Sequence, residues 1–173
     1  MLESNAMAIR AGVLTVSDKG ARGERTDTAG PAVTALLQTI AAEVVQAAVL
    51  PDDRAQLSAM LRDWCDGSKL DIVLTTGGTG LSPRDVTPEA TLDVAERHVP
   101  GLAELMRQEG RKSTHLAALS RAVAVTRGRT LIINLPGSER GARESLEAVL
   151  ELLPHAIETL ARVGIEEHPV DRV

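Results

Sequence analysis

The segment Leu70-Asp71-Ile72-Val73-Leu74-Thr75-Thr76 runs straight into Gly77-Gly78-Thr79-Gly80, and this junction constrains the fold more than any other stretch of the chain. A continuous apolar run that ends in a turn suits a parallel strand buried on both faces. In open α/β sheets, the carboxyl ends of such strands are where ligands bind. The rest of the sequence fits around this strand. Residues 9–17 and 44–50 have strand character, and 122–126 and 130–135 predict a hairpin about Arg127-Gly128-Arg129. Helical spacing predicts helices over 28–42 (Val33, Leu36, Leu37, Ile40), 52–66 (Leu57, Met60, Leu61, Trp64), 101–118 and 140–163, the last kinked at Pro154. A further helix opens at Thr87-Pro88, with Thr87 as its cap and Pro88 at the first helical position. This alternation predicts a three-layer α/β/α domain with a mainly parallel sheet, right-handed crossovers and a short antiparallel hairpin at one edge.

The length of 173 residues suits one domain, placed at 8–163, with 164–173 as a C-terminal tail. Residues 1–7, with Ser4-Asn5-Ala6 before a second methionine, read as a cloning remnant or a flexible N-terminus. The chain has 19 basic against 24 acidic residues, a net charge of −5, with no Phe, no Tyr and a single Trp. It therefore lacks both the basic field and the stacking platforms of a nucleic-acid binder. A lone cysteine, Cys65, excludes an intramolecular disulfide and fits a reducing, cytoplasmic setting. No apolar run approaches the ~20 residues that span a bilayer, so no membrane partner is expected.

The chemistry gathers in four segments, each placed after a strand: Ser17-Asp18 to Asp27, Pro51-Asp52-Asp53, Gly77 to Asp85, and Pro136-Gly137-Ser138. Glycine-loop amides can form a concave nest for an anion, although a plain tight turn is an equal reading of the same residues. The loop is neither a P-loop nor a dinucleotide fingerprint. Asp85 reads either as a turn carboxylate or as a metal or substrate ligand, since Mg²⁺ commonly takes one or two carboxylates beside phosphates and water. Asp52 reads first as a helix N-cap; capping by Asp53 would leave it free. Asp18 and Asp27 suit turns. Lys19, Arg22, Arg25 and Arg84 suit either phosphate or solvent. His98, His115, His155 and His168 have no paired metal spacing, Ser120 has no nucleophile elbow, and Cys65 reads as packing.

Taken together, SDKGARGERTD (17–27), PDD (51–53), TTGGTGLSPRDVTPEAT (75–91), LSR (119–121) and IINLPGS (132–138) resemble the molybdopterin adenylyltransferase family. This is the molybdenum cofactor biosynthesis group that includes the gephyrin G domain. The resemblance covers about residues 8 to 162. It implies a fold of the kind above, assembled as a homotrimer, and an Mg²⁺-dependent transfer in which ATP and molybdopterin give adenylyl-molybdopterin and pyrophosphate. It also implies that Asp52 and Asp85 are catalytic and hold the metal. Substrate and nucleotide contacts would fall on Ser17, Asp18, Thr76, Gly77, Gly78, Thr79, Gly80, Ser120, Asn134, Pro136 and Gly137. A molybdenum insertase, fused or separate, is the implied partner. Members often carry Ser three residues after the first-loop aspartate, where this chain has Ala21. A non-catalytic module that binds and hands on molybdopterin would share every one of these loops, and competence/damage-associated relatives cleave other nucleotides on the same fold.

Overall fold

The computed structural model describes residues 8–162. Six strands form one sheet in the order β2-β1-β3-β6-β5-β4. They are β1 (Ile9–Val16), β2 (Ala42–Leu50), β3 (Ile72–Thr76), β4 (Arg97–His98), β5 (Ala124–Arg127) and β6 (Thr130–Leu135). β2, β1, β3 and β6 run parallel, while β5 pairs antiparallel with β6 and β4 antiparallel with β5. The mainly parallel sheet with an antiparallel edge is the expected one. Register sets the parallel strands level at their carboxyl ends, with Val16 opposite Leu50, Thr15 opposite Thr76, and Thr76 opposite Leu135. The loops that follow these strands therefore start from one rim.

Strand residues alternate between two cores, as a period of two requires. Ala11, Val13, Ile72, Leu74, Leu131, Ile133 and Leu135 face one side, packed by α2 (Ala29–Gln38), α5 (Pro100–Gly110), α6 (Glu139–Val149) and α7 (Leu153–Ala161). Leu14, Val16, Val73 and Ile132 face the other side, packed by α3 (Arg54–Arg62) and α4 (Thr87–Leu92). These are the two outer layers. The one remaining helix, α1 (Asp18–Ala21), is a single turn at the rim, in a segment expected to be loop; Ala21 is its last, exposed residue.

Several boundaries differ from expectation, each for a local reason. The helix expected over 28–42 ends at Gln38, because Ala41 takes a left-handed φ of 56° that no helix continues through. The chain then enters β2 at Ala42. The helix expected over 52–66 closes in a wider π turn at Asp63–Gly67, which carries Trp64 and Cys65 inward. The 101–118 pattern divides into α5 and a separate 3₁₀ turn, His115–Leu119, capped by the Thr114 hydroxyl accepting from the Leu116 N–H at 3.3 Å. The last helix is broken rather than kinked: a 3₁₀ turn at Leu150–Leu152 separates α6 from α7, with Pro154 in the first turn of α7, where its missing N–H costs nothing. Thr87 is not the cap of α4; Val86 holds that position without a side-chain bond. Residues 1–7, the tail at 164–173 and His168 lie outside the described residues. Among those described, no helix is long and apolar enough to cross a membrane.

Candidate functional site

A ridge of glycines forms the centre of the rim. Gly77 and Gly78 leave β3 with φ of 95° and 66°, a conformation that strains any residue with a Cβ. A Cβ at Gly77 would overlap the Val16 carbonyl oxygen, and one at Gly78 would overlap the Thr87 hydroxyl. The ridge is tied on both sides. The Gly77 N–H donates to the Leu135 carbonyl at 3.0 Å, the Thr87 hydroxyl donates to the Gly77 carbonyl at 2.8 Å, and the Thr87 N–H donates to the Gly78 carbonyl at 3.1 Å. Thr87 therefore anchors the glycine loop instead of capping its own helix.

On one side of the ridge lies a polar cleft of about 280 Å³ whose lining includes Ser17, Asp52, Thr76, Gly77, Gly78, Asp85 and Gly137. Asp53 is the N-cap of α3, accepting from the Gln56 N–H at 2.9 Å, so Asp52 is spared that role. Asp52 and Asp18 instead clasp one another: the Asp18 N–H donates to Asp52 Oδ2 at 3.1 Å, and the Asp52 N–H donates to Asp18 Oδ1 at 3.0 Å. Burial pushes the Asp52 carboxyl above its ordinary range; the Asp18 N–H bond opposes this, and the charges of Asp18 and Asp85 reinforce it. Asp18 also takes the Arg84 guanidinium through both oxygens, at 2.9 and 3.0 Å, which holds its own carboxyl below the usual range. Asp85 Oδ2 accepts from the Ser82 N–H at 3.0 Å. Ser17 caps α1 by accepting from the Gly20 N–H at 3.0 Å.

Beneath the cleft, Thr76 donates to Thr15 at 3.3 Å and Thr15 donates to Asp27 Oδ2 at 2.6 Å. Asp27 Oδ1 accepts from the Gly30 N–H at 3.0 Å, fixing the start of α2. Thr76 is fully buried and Asp27 half-buried, so these groups set the floor. Among the implied phosphate-binding bases, Arg25 lines the cleft, while Arg22 pairs with Glu24.

Across the ridge is a second hollow of about 260 Å³, lined by Thr79, Gly80, Ser120, Asn134 and Pro136 together with Ala103, Met106, Leu116 and Ala117. The Asn134 side chain is committed within the protein. Its amide donates to Thr75 at 3.0 Å and Thr91 at 2.9 Å, and its Oδ1 accepts from the Val123 N–H at 3.2 Å. Asn134 thus holds β6 to β3 and α4 behind the hollow. Ser120 is half-buried, and its oxygen accepts from the Ala122 N–H at 3.3 Å.

Arg121, in the LSR segment but given no role by the sequence, organises the site. Arg121 donates through Nε to the Gly80 carbonyl and through Nη2 to the Asp85 carbonyl, each at 2.7 Å, and pairs with Glu89 through Nη1. Burial pushes Glu89 up, but the Arg121 bond, the residue's own backbone N–H and the charges of Arg121 and Arg54 together outweigh this and leave the carboxyl below its ordinary value. An arginine set between a polar turn and a strand was the available signal, since a guanidinium in that position needs acceptors.

The donor set suits a hard divalent cation. Asp52 and Asp85 line one cleft, and in each only one carboxylate oxygen accepts a protein hydrogen bond among the described residues. No group of three or more His, Cys, Asp or Glu side chains able to hold a metal occurs among those residues. Two carboxylates that leave the other coordination positions to phosphate and water match the habits of Mg²⁺.

The family described as "probable molybdopterin binding domain" matches residues 12–155. A molybdopterin adenylyltransferase of Helicobacter pylori is 38% identical over 154 residues, 88% of either chain. The molybdenum cofactor synthesis protein cinnamon of Drosophila melanogaster is 43% identical over 87% of this chain, which spans only 25% of that longer protein. Among solved structures, the molybdopterin biosynthesis enzyme MoaB of Thermus thermophilus superposes with a TM-score of 0.84 at 56% identity, covering 88% of this chain and 96% of that one. The chain therefore belongs to the family of probable molybdopterin-binding domains of molybdenum cofactor biosynthesis.

Proposed function

We propose that this protein is a molybdopterin adenylyltransferase, joining the terminal phosphate of molybdopterin to the α-phosphorus of ATP with release of pyrophosphate. The observation that carries this reading is the meeting of Asp52 and Asp85 in one cleft beside the glycine ridge. The attacking group is a phosphate monoester with a second pKa of about 6, largely dianionic at neutral pH, so no strong protein base is needed. Catalysis then rests on placing two anions together and offsetting their charge.

Bound between Asp52 and Asp85, Mg²⁺ would neutralise the triphosphate. The remaining work belongs to the chain. The Gly78, Thr79 and Gly80 N–H groups, which donate to no protein acceptor among the described residues, bind one phosphoryl group. Arg25 supplies positive charge in the cleft that Asp27, Asp52 and Asp85 also line, while Arg84 is paired with Asp18. The hollows on either side of the ridge give the two ring systems separate room while their phosphates meet at its crest. Ala21 brings no hydroxyl to the first loop, so the polar contacts there come from Ser17 and the backbone. The reading extends to a homotrimer acting in the cytoplasm and passing its product to a molybdenum insertase.

The test is pyrophosphate release from ATP and molybdopterin by the wild type and by Asp85→Asn. The variant should melt as the wild type does and lose turnover by at least about 100-fold, as removal of one preorganised electrostatic contact does elsewhere. Wild-type turnover in folded Asp85→Asn would remove that residue from the chemistry. Molybdopterin binding by the wild type with no ATP-dependent product would identify a carrier instead.

A further inference from the structure

We infer that Arg121 is a positioning residue for Asp85, its guanidinium clipping together the two ends of the Gly80–Asp85 loop. This rests on the adenylyltransferase reading, in which Asp85 acts beside the glycine ridge.

The loop closes on itself through short bonds. The Ser82 N–H donates to Asp85 Oδ2 at 3.0 Å and the Asp85 N–H returns to the Ser82 carbonyl at 2.9 Å. Those bonds shape the turn, and the Arg84–Asp18 pair ties its tip to the first loop. Among the described residues, Arg121 alone joins the two ends: it reaches the Gly80 carbonyl at one and the carbonyl of Asp85 itself at the other, both at 2.7 Å, while its own N–H donates to the Thr79 carbonyl at 2.9 Å. A planar fork with five fixed donors can span two carbonyls and a carboxylate at once; an ammonium on a flexible stem cannot hold the same three in one plane.

Glu89, in the first turn of α4, supplies the balancing charge. Its second oxygen, Oε2, accepts no hydrogen bond among the described residues. The Arg121–Glu89 pair fixes the guanidinium plane, and with it where the Asp85 carbonyl stands.

The experiment compares wild type, Arg121→Lys and Asp85→Asn in steady-state turnover and in Mn²⁺ binding with ATP present, followed by electron paramagnetic resonance. Arg121→Lys should lower kcat by about 100-fold, the effect of a roughly 1 Å misplacement. KM for molybdopterin should stay within about threefold, because ground-state binding is not what the clip provides. Mn²⁺ affinity should weaken by about tenfold, following loss of one well-placed ligand. Wild-type kcat and Mn²⁺ affinity in Arg121→Lys, beside an inactive Asp85→Asn, would overturn this inference alone. Wild-type turnover in Asp85→Asn would overturn the catalytic reading and this inference with it. Should Arg121→Lys fail to melt cooperatively, Glu89→Gln takes its place: a lowered kcat at constant KM supports the clip, and an unchanged kcat and Mn²⁺ affinity overturn it.

Discussion

The two hollows beside the glycine ridge are nearly equal in volume, about 280 and 260 Å³, yet opposite in lining. One carries Asp27, Asp52, Asp85 and Arg25; the other carries Ala103, Met106, Leu116, Ala117 and Leu119. The charged hollow is built from segments that follow β1, β2 and β3 and is stiffened by the Asp18–Asp52 clasp. The mostly apolar hollow is walled by α5, α6, the ends of the ridge and of β6, and the exposed 3₁₀ turn at His115–Leu119, which buries none of its own residues. Equal size with unlike walls implies divided labour. One side handles charge and should govern the rate of the chemical step; the other offers shape and should govern how well a ring system is held.

Variants on the two sides should therefore fail differently. The largest effect belongs to Asp85→Asn, with its loss of turnover and unchanged melting. Next comes the ridge that separates the hollows: Gly78→Ala places a methyl against the Thr87 hydroxyl at a φ of 66°. It should cost about 1–3 kcal/mol in denaturant unfolding, the range for a strained backbone position, and reduce turnover as well. An unaltered unfolding midpoint would show that the ridge can relax. On the apolar side, Ala117→Trp should fill the hollow, raising KM for one of the two substrates by about tenfold with kcat nearly constant, the scale expected of a pocket contact. A fall in kcat without a change in KM would erase the proposed division. The smallest effect lies far from both hollows. Burial pushes the Cys65 thiol up to about 11, so at pH 8 it stays protonated, and iodoacetamide should label it only after denaturant is added. Rapid labelling of the native protein would show that the π turn opens.

The sheet was legible because its strands are short apolar runs with β-branched residues, and a buried parallel strand has few alternatives. The positions of the four loops followed from those strands. Boundaries were less legible. Nothing in the composition of Thr39-Ile40-Ala41 announces a left-handed alanine, and Pro154 permits a kink or a fresh helix start with equal ease. Side-chain partnerships were the least legible, because they join residues remote in sequence. Arg84 meets Asp18 across 66 positions and Arg121 meets Gly80 across 41. Spacing alone favours Asp52 as the cap of α3. The structure decides for Asp53, and with that choice the neighbouring carboxylate turns toward the rim.

Trp64 offers a practical consequence. Its ring lies against Gly12 in the middle of β1, where any added methyl would collide with it, and its exposure is only 3%. With no Tyr or Phe anywhere in the chain, intrinsic fluorescence comes from this one indole. Its emission therefore reports the seating of α3 and its π turn on the sheet, from the side that carries α4, and ligands entering either hollow can be added without obscuring a protein signal from any other fluorophore.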